Sequence, residues 1–138
     1  MTATVSPQIN QIAVLIAKQG YDVSQTGPGV LEIRELRSGI SIHAVLEGDI
    51  VFFTLPCMNV TADKLTPELL KKMLAGENGI STSYFQLYDG PDGTVTIALN
   101  NFCKVLGMGP EDEDDILSCI HFLLVDVIAA RDLVGGAK

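Results

Sequence analysis

The sequence lacks several features that would point to a function class. No apolar run approaches the ~18 residues that a membrane-spanning helix needs. No basic segment leads into an apolar stretch with a small-residue cleavage site, so no secretory signal is expected. Positive charge is scarce: nine Lys and Arg stand against 17 Asp and Glu, for a net charge of −8. Such a chain repels a phosphate backbone and an anionic lipid surface, so neither nucleic acid nor membrane is an expected partner. Cysteine is sparse and scattered. Cys57, Cys103 and Cys119 form no CxxC pair, and reduced thiols in the cytoplasm are the simplest expectation.

Recognisable catalytic and ligating patterns are missing as well. Zinc takes about four ligands at close, regular spacing, which two histidines and three dispersed cysteines do not supply. Cys119 and His121 are two apart on a predicted helix and point to different sides of it. No acid or nucleophile neighbours His43 in sequence. Asp89-Gly90-Pro91-Asp92-Gly93 lacks the alternating oxygen ligands and the final glutamate of a calcium loop, and reads as a hairpin turn. Gly107-Met108-Gly109-Pro110 is a weak match to a phosphate-binding turn, and the five acidic residues at 111–115 would repel a phosphate there. No convergent acid, base and nucleophile emerges. The expectation is therefore a non-enzymatic chain with no catalytic residue, metal or cofactor.

What is present is a core. With 138 residues, 47% hydrophobic and 19% charged, the chain suits one domain spanning 1–138. Ser6-Pro7 reads as an N-cap and first helical position. Ile9, Ile12, Ala13 and Ile16 follow on one helical face, and Gly20 is a fitting stop, predicting a helix over 7–19. Residues 20–29 read as a connection. Residues 30–36 and 40–46 alternate apolar and polar, joined by a tight turn at Ser38-Gly39. Residues 50–55 are apolar on both faces and end at Pro56.

Thr66-Pro67 opens a second predicted helix over 66–75, closed by Gly76. Residues 83–88 and 94–99 make a second hairpin. Gly109-Pro110 opens the last helix, whose acidic first turn complements the helix dipole. Ile116, Ile120, Leu123, Val127, Ala130 and Val134 line one face of it, with Leu117, Leu124 and Ile128 in a row beside them. The predicted order is α-β-β-β-α-β-β-α, an α+β fold with a five-stranded antiparallel sheet packed with helices.

The run Leu69-Leu70, Met73-Leu74 and Asn78, followed by Tyr84-Phe85-Gln86-Leu87 and Asp92-Gly93-Thr94-Val95-Thr96-Ile97, resembles the type III secretion chaperones. It is also similar to YbjN-type domains, regarded as sensory-transduction regulators. The shared pattern covers about residues 65–134, and the element order covers the whole chain. The resemblance implies a homodimer that binds an extended segment of a client protein. By it, Ile9, Ile12, Ile16, Leu31, Ile33, Ile40 and Ile42 are candidate client contacts. One face of each strand must be buried in any case, so these residues are equally candidates for the core. Leu69, Leu70, Met73, Tyr84, Gln86 and Tyr88 are candidate dimer contacts by the same resemblance. The alternative is a YbjN-type regulatory domain that binds a small ligand or a partner protein, with no secretion role.

Overall fold

A computed structural model of the chain describes residues 9–135. Ser6 and Pro7 lie outside them, so the predicted start of the first helix falls beyond the described residues. The observed order is α1 (Ile9–Lys18), β1 (Asp22–Gly27), β2 (Val30–Arg34), β3 (Ser41–Glu47), β4 (Ile50–Thr61), α2 (Pro67–Leu74), β5 (Tyr84–Asp89), β6 (Thr94–Lys104) and α3 (Pro110–Val134), with short 3-10 turns before α2 and before β6. The six strands form one antiparallel sheet ordered β1-β2-β3-β4-β6-β5. The chain gathers into two compact units, one of residues 9–54 and 102–121, the other of residues 55–101 and 122–135.

In the first unit, α1 packs on β1 and β2. Its buried set is Ile12 and Ile16 from α1, Leu31 and Ile33 from β2, Ile42 and Ala44 from β3, Val51 and Phe53 from β4, with Val105, Ile116 and Ile120. The register pairs Leu31 with Ala44, Ala44 with Phe53, and Ile33 with Ile42, so one face of the meander is continuously apolar. Gly48-Asp49 makes the two-residue connection from β3 to β4, with Gly48 at positive φ.

In the second unit, Val60, Met73, Ile97 and Val134 form a buried cluster, with Met58, Leu65, Leu69, Leu70, Phe85 and Leu133 packed against it. The predicted opening of α2 is present: the Thr66 side chain accepts from the Leu69 amide at 3.2 Å, and Pro67 occupies the first helical position.

Four expectations need correcting. The sheet has six strands, not five, because residues 22–27 form β1 rather than part of a connection. β1 is a polar edge strand with hardly any buried side chain, so it shows no apolar alternation; Pro28-Gly29 turns it into β2. Pro56 does not end β4, which runs on to Thr61. The register with β3 stops at Thr54, and a proline is tolerated where no neighbour needs its missing N–H. Ser38-Gly39 is not a tight hairpin turn but part of a loop at 35–40, in which Ser38 Oγ donates to Glu35 Oε1 at 2.6 Å and accepts from the Ile40 amide. Gly76 does not cap α2: the helix gives way at Ala75, in extended conformation. Asn78 does the capping, donating from Nδ2 to the Met73 carbonyl at 2.6 Å and accepting from the Ile80 amide at Oδ1.

α3 matches its predicted buried row throughout, since Ile116, Ile120, Leu123, Val127, Ala130 and Val134 are all buried. The second row is not uniform: Leu117 and Leu124 are half-buried, while Ile128 is exposed. The acidic first turn is also more than a solvated helix start. Asp112 is buried, and its Oδ2 accepts from the amides of Leu106, Gly107 and Met108 at 2.7, 2.9 and 2.8 Å. Three successive amides converging on one oxygen make an anion nest, here filled by the chain's own carboxylate. The Gly107 and Leu106 amides hold that carboxyl below its ordinary range.

Candidate interaction surface

β5 lies at the sheet margin, paired only with β6 in the strand order. A single buried side chain from α3 positions its approach. Asp126, 2% exposed, accepts at Oδ1 from the Ser81 amide at 3.0 Å and the Ser81 hydroxyl at 2.8 Å. Its Oδ2 accepts from the Ser83 hydroxyl at 2.7 Å and, more loosely, from the Thr82 and Ser83 amides at 3.4 Å. Burial pushes this carboxyl up, but the Ser81 and Ser83 hydrogen bonds outweigh it, and the net displacement is downward. Residues 81–83 are thus fixed immediately before the strand begins.

The β5–β6 register then sorts the side chains. Tyr84, Gln86 and Tyr88 stand opposite Asn100, Ala98 and Thr96 on one face, while Phe85 and Leu87 stand opposite Leu99 and Ile97 on the other. Tyr84 and Tyr88 remain 45% and 40% exposed. Between them lies a polar group built on Asn100, which is 7% exposed. Asn100 Nδ2 donates to the Tyr88 hydroxyl oxygen at 2.7 Å and to Gln86 Oε1, and the Tyr88 hydroxyl donates to Gln86 Oε1 at 3.1 Å. Thr96 extends the row by donating to Asn59 Oδ1 at 2.5 Å. Two amphipathic phenols on a locked polar base, along a strand with an open margin, suit protein recognition.

The first unit carries a separate apolar patch. Phe52 and Phe102 are both exposed, Phe102 at 56%, with ring centroids 6.1 Å apart. The register places Val45 opposite Phe52 and Val30 opposite Val45, so all three share this face. Phe53, next in sequence, is fully buried on the other face.

The residues singled out from sequence fall differently. Ile12, Ile16, Leu31, Ile33 and Ile42 are buried in the first unit, and Ile9 and Ile40 are half-buried. Five of these side chains are thus taken up by the core, and Ile9 and Ile40 keep part of their surface. Met73 is buried and Leu69 and Leu70 pack against its cluster, whereas Tyr84, Gln86 and Tyr88 are brought together on the exposed face of β5. Sequence reasoning missed Asn100 and Phe102 because it stopped the strand at Leu99. The same alternation, continued from Thr94 through Ala98, would have reached both. It also missed Asp126, whose partners lie more than 40 residues away.

The ionisable groups are mostly structural. Burial pushes the Cys57 thiol up to about 11 despite the nearby Arg131, which makes it a poor nucleophile at neutral pH. Closeness to Cys119 and burial push the Cys103 thiol up as well. Among the described residues, no group of three or more His, Cys, Asp or Glu side chains is placed to hold a metal ion. No described helix is long and apolar enough to cross a membrane.

Among the described residues, three helices and a six-stranded antiparallel sheet in this order make an α+β fold of the YbjN type. The chain is similar to the crystal structure of YbjN from E. coli, a proposed transcription regulator, with a TM-score of 0.68 over 94% of this chain and 95% of that one, at 15% identity. No family model and no curated protein sequence matches the chain.

Proposed function

We propose that the chain is a non-enzymatic, cytoplasmic protein-binding module that acts as a homodimer and captures an extended segment of a partner protein, in the manner of the type III secretion chaperones its sequence resembles. The observation that supports this best is β5, a marginal strand that presents Tyr84 and Tyr88 over a fixed polar base. A second copy adds its own β5 to that margin, and the Phe52–Phe102 patch takes alternate apolar side chains of the client. The acidic surface favours clients with basic flanks. Light scattering at micromolar concentration should give about twice 14.8 kDa, and Tyr84→Lys, which charges the strand, should give a monomer with unchanged circular dichroism. A monomeric native protein would sink the dimer. A library of displayed peptides should yield binders with apolar residues at alternate positions, and Phe102→Ser should abolish their binding.

A second reading, which we infer from a depression in the second unit, is a regulatory domain that responds to a small ligand. The depression bounded by Cys57, Met58, Arg131 and Gly135, about 440 Å³, places one cation beside apolar surface and suits a small organic anion. Thermal-shift screening against carboxylates and phosphate esters separates the two readings: stabilisation abolished by Arg131→Gln supports the ligand domain.

A further inference from the structure

α3 is one continuous helix from Pro110 to Val134. Its buried row, from Ile116 to Val134, is spent on the core. One residue on, about 100° further round the helix, runs a second row: Asp114, Leu117, His121, Leu124, Ile128 and Arg131. Asp114, His121, Ile128 and Arg131 are exposed, and the two leucines are half-buried. Ile128 keeps 67% of its surface, and Val125 on the flank of the row keeps 48%. Alternate steps of three and four are the spacing of a seam between two packed helices. We propose that this row is a docking seam for the α3 of a second copy of the chain, laid antiparallel about a two-fold axis.

The order of residues along the row selects that occupant. With the axis between His121 and Leu124, the row meets itself end for end. Asp114 then faces the partner's Arg131, Leu117 faces the partner's Ile128, and His121 faces the partner's Leu124. Each pairing occurs twice, as an isologous contact requires. Both ends close on opposite charges, so the seam is neutral although two copies of net charge −8 repel at long range. A parallel pair would instead set Asp114 against the partner's Asp114, and Arg131 against the partner's Arg131, which opposes that alignment. Neither charge is spent within the chain: among the described residues, no ion pair holds Asp114 or Arg131. The contact lies on a different surface from the β5 margin and does not rest on it. From Asp114 to Arg131 it covers about 26 Å of helix, and its area falls at the low end of specific interfaces. Association through the seam alone is therefore expected at about 0.1–1 mM.

The test is sedimentation velocity on the full chain carrying Tyr84→Lys, which isolates α3 from β5, over a series from micromolar concentration to about 1 mM. This chain should be monomeric at the bottom of the series and approach twice 14.8 kDa at the top. Ile128→Lys should abolish the association. Asp114→Arg and Arg131→Asp should each raise the dissociation constant about tenfold, because attraction at both ends of the seam becomes repulsion. The double variant exchanges the two charges and should restore it. Circular dichroism should be unchanged throughout, since the substituted side chains are exposed. A Tyr84→Lys chain that is dimeric even at micromolar concentration, and monomeric once Ile128→Lys is added, would support the seam and count against the β5 dimer. No association at the top of the series, association indifferent to Ile128→Lys, or a double variant no better than the single ones would each overturn the proposal.

Discussion

Replacing Asp126 by asparagine should destabilise the protein by about 2 kcal/mol at neutral pH and by far less near pH 3. Three of the five hydrogen bonds to this carboxylate are well formed: 3.0 Å from the Ser81 amide, 2.8 Å from its hydroxyl and 2.7 Å from the Ser83 hydroxyl. A hydrogen bond to a charged acceptor contributes roughly 1.5–3 kcal/mol and a neutral one about 1 kcal/mol. Asparagine keeps the shape and one oxygen, so it loses mainly the charge assistance, about 0.5–1 kcal/mol for each of the three. Alanine removes every acceptor at a site that is 2% exposed, and about 4 kcal/mol is expected from the unsatisfied donors.

The pH dependence has a definite sign. The folded-state pKa of Asp126 is depressed below its ordinary value of 3.8. Its stabilisation is therefore complete above the unfolded-state value and is lost as pH falls through the folded-state value. A protonated carboxyl resembles the amide, so native and Asp126→Asn stabilities should converge as pH falls below about 4. Urea titration at a series of pH values measures this directly, with a constant m-value confirming that the same transition is compared. A difference under 0.5 kcal/mol at pH 7, or one that persists undiminished at pH 3, would refute the reasoning.

Three further outcomes are expected. Asp112→Ala should free the amides of Leu106, Gly107 and Met108, cost about 3 kcal/mol, and speed amide exchange at 106–108 while the core strands stay protected. Its pKa is also depressed, so native stability should fall in acid by the same sign argument, and the Asp112→Ala variant should fall less. Thr66→Ala should cost about 1 kcal/mol as a lost N-cap, read as a shift in the urea midpoint. Phe53→Ala should cost about 3–5 kcal/mol as a core cavity, whereas Phe102→Ser at the exposed patch should leave the midpoint almost unchanged and abolish peptide binding.

α2 is legible in the sequence because Thr66-Pro67 is a local signal, and a cap acts through residues three apart. α3 is legible because its buried positions, Ile116 to Val134, recur with helical period over about five turns. β1 is not, because an exposed marginal strand buries almost nothing and needs no apolar alternation; its pairing with β2 is imposed by the turn at Pro28-Gly29. The true length of β4 is hidden by Pro56, whose local preference is overridden where the pairing with β3 has already stopped at Thr54. The candidate surface is half legible. Tyr84, Gln86 and Tyr88 share a face by simple alternation. The Asn100 group and the Asp126 clamp join residues distant in sequence, and no local pattern encodes such pairings.

The nest at 106–108 changes what the acidity of this chain signifies. Of the net −8, residues 111–115 carry five charges, and at least one of those is internal wiring rather than surface field. A carboxylate tethered four to six residues from the amides it meets competes as an intramolecular ligand, at an effective concentration in about the mM range or above. A free phosphate arriving at this turn finds the donors already engaged and the neighbouring carboxylates repelling it. The turn has the backbone of an anion receptor and the behaviour of a closed joint, and one side chain, Asp112, makes the difference.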